Sequence, residues 1–179
     1  HVDIAQWAIQ QTDSGPLSVD PVMAKHLVPF ADGMPTKSNY YNTATQFNVV
    51  CQFPDDLEMI IRHDTRNGVL IEGTEGRIFC SRGKIEGKPV EELKDNPLPE
   101  DALTKLRRGK PLGNHIENFI DCTRDRSLPV SDVFSHHRSL TTCHLANIAV
   151  RLGRKLTWDA KAEQITGDIE YGQYLSSEC

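Results

Sequence analysis

The fold class is decided by one stretch of the chain, Thr45-Gln46-Phe47-Asn48-Val49-Val50-Cys51-Gln52-Phe53. Apolar residues dominate its odd-numbered positions and polar residues its even-numbered ones, which is the period of two typical of a half-buried strand. Pro54-Asp55-Asp56 follows as a turn, and Leu57, Met59 and Ile61 continue the alternation. The pattern therefore predicts an antiparallel hairpin over residues 45–61.

Further strands are predicted on the C-terminal side of this hairpin. Residues 69–71 and 77–80 flank the turn Gly73-Thr74-Glu75-Gly76, and another short strand is expected between residues 83 and 87. Val50 and Ile60 place apolar side chains on the otherwise polar face of the first hairpin, whereas a sheet with one solvated face alternates more cleanly. We therefore expect helices on one face of the sheet and another subunit on the other face.

A helix is predicted at the start of the chain, where Ile4, Ala5, Ala8 and Ile9 recur at helical spacing. This apolar stripe begins in the first turn, whereas a first helix normally opens with a capping Ser, Thr, Asp or Asn. We therefore expect the chain to be a piece of a longer protein. A targeting signal would then lie outside it, so the compartment stays unassigned, with the cytoplasm as the default.

The segment between this helix and the hairpin shows little periodicity. Asp13-Ser14-Gly15-Pro16 is a turn signal, and residues 17–20 are predicted as a short strand. Residues 21–42 contain three prolines, and we expect them to form a long surface excursion of the kind that is often functional.

The last third of the chain is predicted to be helical. Asn114-His115-Ile116-Glu117 fits a capping box and opens a helix. A longer helix follows residues 129–132 and ends at Gly153, and residues 155–158 are predicted as a late strand. Ile116, Phe119, Ile120 and Thr123 form the stripe of the first helix. The buried face of the second helix is predicted to contain Leu145, Ile148, Ala149 and Leu152. A final helical turn is expected near residues 171–175. The order helix, strands, helices indicates an α+β fold with an open, mainly antiparallel sheet.

Composition excludes several classes of protein. The net charge of −5 argues against a nucleic-acid partner, and no apolar run is long enough to cross a membrane. The five cysteines are scattered and form no Cys-x-x-Cys pair, which supports neither a disulfide framework nor a zinc finger. Four of them, Cys51, Cys80, Cys122 and Cys143, are expected to be small buried hydrophobic residues.

Three segments, in this order and spacing, resemble one family. They are His1-Val2-Asp3, the turn Gly73-Thr74-Glu75-Gly76 with the following Arg77-Ile78-Phe79, and the closing run from Asn118-Phe119-Ile120-Asp121-Cys122 through Pro129-Val130-Ser131 to Arg151-Leu152-Gly153-Arg154. Together they resemble the C-terminal domain of the Gfo/Idh/MocA oxidoreductases, the glucose–fructose oxidoreductase and inositol dehydrogenase family. The resemblance covers nearly the whole chain.

The resemblance implies that two domains separately bind the substrate and the nicotinamide cofactor. Residues 1–179 would form a single C-terminal substrate-binding and oligomerisation domain, and the N-terminal Rossmann domain that binds NAD or NADP would lie outside this chain. Asp3 aligns with the last residue of the family motif Asp-x-Gly-x-His-x-x-Asp, which implies a catalytic, substrate-orienting role; the motif histidine would immediately precede His1. The implied reaction is the oxidation of a sugar- or polyol-like hydroxyl, in which the carbon that bears it gives a hydride to the nicotinamide, in a homo-oligomer.

No cofactor site is expected in the chain itself. Gly73-x-x-Gly76 joins two predicted strands, whereas a phosphate-binding loop needs a helix N-terminus behind its glycines. A metal site is not expected either. His137 and His144 are two helical turns apart, about 10 Å along the axis, so that they cannot share one ion with Cys143 between them.

Four further residues are candidate substrate contacts. His136 and His137 lie near the start of the longest helix, where histidine suits a polar substrate. Tyr40 and Tyr41 close the excursion with stacking and hydrogen-bonding groups of the kind that bind sugars, and their alternative role is the irregular start of the next strand.

Two other functions stay open at this point. One is a standalone, non-catalytic carbohydrate-binding or scaffold domain. The other is part of a hydrolase or lyase of the same family that uses the nicotinamide transiently.

Overall fold

A computed structural model describes residues 1–167 and confirms the α+β class, with helices and antiparallel strands in comparable amounts. The helices are α1 (Val2–Ala8), α2 (Lys88–Glu91), α3 (Ala102–Leu106), α4 (His115–Asp125) and α5 (Val133–Leu152). The strands are β1 (Ser18–His26), β2 (Phe30–Ala31), β3 (Met34–Pro35), β4 (Ala44–Gln52), β5 (Glu58–Arg62), β6 (Val69–Gly73), β7 (Gly76–Ser81), β8 (Lys84–Glu86), β9 (Leu156–Asp159) and β10 (Gln164–Thr166). The helical turn predicted near residues 171–175 lies outside the described residues.

The chain divides into two compact units. The first combines residues 1–66 with the chain from His137 onward, and the second comprises Asn67–His136, so the boundary falls within α5.

The first unit is built on a five-stranded antiparallel sheet with the strand order β10-β9-β1-β4-β5. The hairpin predicted from the alternation is confirmed as β4 and β5, with Val49 opposite Ile61 and Val50 opposite Ile60. The late strand is confirmed as β9, which pairs with β1 through Leu156 opposite Val19.

Helices α1 and α5 cover one face of this sheet. The core joins alternate strand residues to one side of α5 and contains Val19, Val49, Cys51, Phe53, Met59, Leu145, Ala146, Ala149, Val150, Leu156 and Trp158. Fully burying an aliphatic side chain stabilises a fold by about 1.5–3 kcal/mol, which makes this layer the main source of stability for the unit. The opposite face carries Val50 and Ile60, and the side chain of Ile60 stays 48% exposed.

The prediction for residues 21–42 is wrong in two respects. Strand β1 continues past Pro21 to His26, because a register shift between Asp20 and Met23 absorbs the proline. The pairing of β9 with β1 is limited to Ser18 and Val19, so within residues 1–167 the rest of that side of β1 is an edge, where a missing N–H is tolerated. Further on, β2 and β3 form a small separate hairpin.

The second unit holds a separate three-stranded antiparallel sheet, β6-β7-β8. Its first two strands form the predicted hairpin, in which Gly73 pairs with Gly76. The capping box of α4 is confirmed, because Asn114 accepts from the Glu117 N–H while Glu117 accepts from the Asn114 N–H. The stripe of α4 is exposed, with Ile116 at 72% and Phe119 at 62%, whereas Asn118 and Cys122 are buried.

Two expectations about burial are corrected. On α1 the side chains that pack on the core are Val2, Ala5 and Ile9, and Ile4 is exposed. The reason is that the buried Gln6 fixes the rotation of this short helix. Among the cysteines, Cys143 is exposed and Cys80 only half-buried, while Cys51 and Cys122 are buried as expected.

Candidate functional site

Asp3 lies in the first turn of α1, the short helix that packs on β5. Its carboxylate is 3.3 Å from the N-terminal ammonium of His1, and its side chain is 48% exposed. A carboxylate in this position is accessible to a ligand and is favoured by the positive end of the helix.

Gln6 holds α1 against α5 through a buried hydrogen-bond network. Its side chain is fully buried, and its amide nitrogen donates to the carbonyl oxygens of Gln11, at 2.9 Å, and Ser14, at 3.1 Å. Its amide oxygen accepts from the hydroxyl of Thr142 on α5 at 2.9 Å. Because a buried amide is stable only when its polar atoms are bonded, this network fixes the orientation of the helix that carries Asp3.

A cavity of about 240 Å³ opens beside the same helix, within the first unit. Its most deeply buried lining residues are Val49, Ala146 and Val150. Its walls are formed by Val2, Ala44, Phe47 and Ile61, and its exposed lining residues are Thr43, Cys143 and Asn147. The pocket is thus apolar at depth and polar at its opening, and Val2 connects it in sequence to Asp3.

The two cysteines of this region are held as thiols. Burial raises the pKa of Cys51 to about 12, with a smaller contribution from Cys143. Burial also raises the pKa of Cys143, and of the two nearby charges the N-terminal ammonium lowers that pKa while the Asp3 carboxylate raises it. Since the thiolate is the strong nucleophile, the raised pKa makes Cys143 a slow nucleophile at neutral pH, and its exposed position leaves it open to a small alkylating reagent.

The two candidate histidines have different neighbours. His136 has its Nδ1 atom 2.9 Å from the carbonyl oxygen of Asp132, the residue that immediately precedes α5. His137 has its Nε2 atom 3.1 Å from a carboxylate oxygen of Glu163, and Arg138 donates to the same oxygen at 2.6 Å. Both histidines are exposed, and neither lines the pocket beside Asp3.

Tyr40 and Tyr41 are exposed in the irregular segment before β4. The ammonium group of Lys37 lies 6.0 Å from the centre of the Tyr40 ring, at the outer limit of a cation–π contact. Like the histidines, the two tyrosines do not line the pocket. They remain accessible for stacking.

The Gly73–Gly76 turn does not form a phosphate-binding loop. The Gly73–Gly76 turn connects β6 directly to β7, so no helix N-terminus stands behind its glycines to receive a phosphate. Within residues 1–167, no group of three His, Cys, Asp or Glu side chains is arranged to hold a metal. In the same range, no helix has the length and apolar character needed to cross a membrane.

Sequence reasoning missed the pocket and the residues that position α1. Gln6 occupies the buried face four residues after Val2, a spacing that was visible in the sequence but was overridden by the alternative stripe through Ile4. Phe47 and Ile61 were assigned to the core face of the hairpin, but nothing local showed that α5 would leave space above them.

No protein-family model, no curated protein and no solved structure matches the chain.

Proposed function

We propose that this chain is the substrate-binding and oligomerisation domain of a Gfo/Idh/MocA-type NAD(P)-dependent oxidoreductase that acts on a sugar- or polyol-like hydroxyl. The observation that carries the proposal is the placement of Asp3, an accessible carboxylate on a helix fixed by Gln6, beside a pocket in the first unit. The order of the three sequence segments that resemble this family supports it.

In this proposal the chain binds and orients the substrate. The Asp3 carboxylate accepts a hydrogen bond from a substrate hydroxyl, and the Gln6–Thr142 contact keeps that carboxylate at a fixed position above the sheet. The nicotinamide, which accepts or returns the hydride, is bound by a domain outside these residues.

We propose that the sheet face opposite α1 and α5 is the subunit interface. Val50 and Ile60 face each other across β4 and β5, and Met23 on β1 lies opposite Asn48 on the same face. A specific interface buries about 800 Å² on each partner, with an apolar centre and a polar rim. This face has both kinds of residue.

Light scattering at micromolar concentration tests the interface. We expect the chain to self-associate, and Ile60→Lys to yield monomers, because a lysine would be desolvated at the centre of the contact. Ile116→Lys, which changes an exposed isoleucine on α4, is the matched control and should leave the association intact. A monomeric wild-type chain would refute the proposed interface.

Activity of the protein encoded by the complete gene tests the proposed reaction. We expect net NADH or NADPH production with members of a panel of sugars and polyols, and a fall in kcat of about 100-fold for Asp3→Asn, because the substrate loses its orienting contact. Asp56→Asn is the matched control, since Asp56 is exposed in a turn at φ +56°, a conformation that asparagine also tolerates.

The same assay distinguishes a dehydrogenase from a hydrolase or lyase of the same family. Release of a sugar or elimination product without net change in NADH would indicate a hydrolase or lyase that uses the nicotinamide transiently. Equal kcat for Asp3→Asn and wild type would contradict the role of Asp3.

A further inference from the structure

Among residues 1–167, no charged side chain lines the pocket beside α1. Its deep part is formed by Val49, Ala146 and Val150, and its walls include Phe47 and Ile61. A charged or polyhydroxylated group would lose its water there without gaining hydrogen bonds, which carries a large cost. The interior therefore favours an uncharged, apolar group.

The polar groups of the pocket are confined to its exposed side. Thr43 contributes a hydroxyl and Asn147 an amide, which together offer hydrogen-bond donors and acceptors. Cys143 adds a thiol that stays protonated at neutral pH. A ligand is thus expected to place its apolar part inward and one polar atom at the opening.

The size of the cavity limits the size of that apolar part. A protein cavity of roughly 150 Å³ lined by aliphatic side chains accommodates benzene. At about 240 Å³, this pocket has room for a six-membered ring with short substituents or for a branched alkyl group of similar volume.

We propose that this pocket binds the uncharged apolar part of the substrate, a ring or branched alkyl group attached to the sugar-like portion whose hydroxyl meets Asp3. The proposal rests on the proposed function for calling the ligand a substrate. It narrows the substrate class from free sugars to compounds such as glycosides that combine a hydroxylated ring with a small apolar substituent. Val2, which lines the pocket next to Asp3, connects the two parts of the site.

Benzyl alcohol is the probe for this pocket, because it joins one aromatic ring to one hydroxyl. The first measurement is the rate at which N-ethylmaleimide alkylates Cys143 in the chain, followed by peptide mass spectrometry. At about ten times its Kd, benzyl alcohol should slow this alkylation about tenfold, since bound protein is shielded. Alkylation of Cys80, which does not line the pocket, is the internal control and should not change.

Charge and polarity are varied in the same assay. Benzoate, benzylammonium and glucose should give no protection of Cys143 at the concentration at which benzyl alcohol protects it. Protection by benzoate or glucose equal to that by benzyl alcohol would overturn the assignment of an apolar ligand.

Variants then locate the binding site by NMR titration with benzyl alcohol. Cys143→Phe should weaken binding at least about tenfold, because its ring would occupy the pocket and protein interiors have little spare volume. His144→Phe changes an exposed neighbour on α5 outside the pocket and should bind as the wild type does. Ala44→Leu fills the pocket from β4 and tests the same point if the first variant fails to fold.

The binding of benzyl alcohol to the pocket is measured independently of hydride transfer. Saturable binding that is lost in the filled variants supports the pocket even where the complete protein reduces no nicotinamide, an outcome that would refute only the proposed reaction. Absence of saturable binding, or unchanged binding by both filled variants, would overturn the pocket proposal and leave the role of Asp3 to its own test.

Discussion

Helices α4 and α5 both carry apolar residues at helical spacing, but only α5 buries them. On α5, Leu145 and Ala149 are almost completely inaccessible against the five-stranded sheet. On α4, Ile116, Phe119 and Ile120 are exposed, and the buried residues are Asn118 and Cys122. Periodicity thus identifies an apolar face without identifying what covers it.

The difference lies in what each helix has to pack against. The inward face of β1, β4, β5 and β9 offers a continuous apolar surface to α5. Helix α4 instead buries polar Asn118, whose side-chain oxygen accepts a hydrogen bond from the Val130 N–H at 2.9 Å. A buried polar anchor of this kind fixes one side of a helix regardless of where its apolar stripe lies.

The sharpest test of this comparison pairs one substitution from each helix. Leu145→Ala should lower the free energy of unfolding by about 2–5 kcal/mol, because it leaves a cavity in the core. Phe119→Ala should change it by less than about 0.5 kcal/mol, as is usual for exposed positions. Urea denaturation followed by circular dichroism measures both. Equal losses would show that the stripe on α4 is buried in solution.

A second pair of substitutions tests whether the buried polar contact holds α1 on α5. Thr142→Val should cost about 1–3 kcal/mol, since it leaves the buried oxygen of Gln6 without its donor. Thr141→Val is the matched control, because the Thr141 hydroxyl bonds only to the His137 carbonyl oxygen within the same helix among the contacts described here. Its effect should stay within about 0.5 kcal/mol. A cost for Thr141→Val as large as that for Thr142→Val would remove the special role of the network.

The smallest expected effect is a dependence of stability on pH that comes from His26, the last residue of β1. Burial and, to a smaller extent, Arg151 lower the pKa of His26, whose ring lies 4.2 Å from the ring of Phe30. The unfolded chain therefore takes up this proton first as the pH falls. The contribution of the neutral His26 ring to the free energy of unfolding should be fully present above about pH 6.5 and should decrease as the pH falls below that value.

Denaturation curves collected between pH 7.5 and pH 5, a range chosen to span about 6.5, check this expectation. His26→Gln should reduce the slope of stability against pH, whereas His144→Gln, at an exposed position on α5, should leave that slope as it is. An unchanged slope for His26→Gln would contradict the role of His26 in the pH dependence of stability.

Local patterns were sufficient to predict much of the fold. The alternation in residues 45–61 predicted β4 and β5, and the capping box at Asn114 predicted the start of α4. The dipeptide Asp32-Gly33 is typical of a tight hairpin turn and could have predicted the β2–β3 hairpin. These residues form its two-residue loop, with φ values of +49° and +73°.

The candidate site could be predicted only in part. Asp3 was identified by resemblance, but the pocket depends on how α5 lies over Phe47 and Ile61, which no local spacing encodes. The continuation of β1 past Pro21 was equally unpredictable from local sequence. It depends on the register shift against β4 and on the short pairing of β9 with Ser18 and Val19. Tertiary contacts decided these features.

We propose that this chain supplies the substrate side of a redox enzyme while another domain binds the nicotinamide. The most direct test is a fluorescence anisotropy titration of NADH with the purified 179-residue chain, repeated with NADPH. We expect the fluorescence anisotropy of NADH and of NADPH to stay at the value of the free nucleotide throughout the titration. A saturable rise with micromolar affinity would contradict it, because the cofactor site would then lie within these residues.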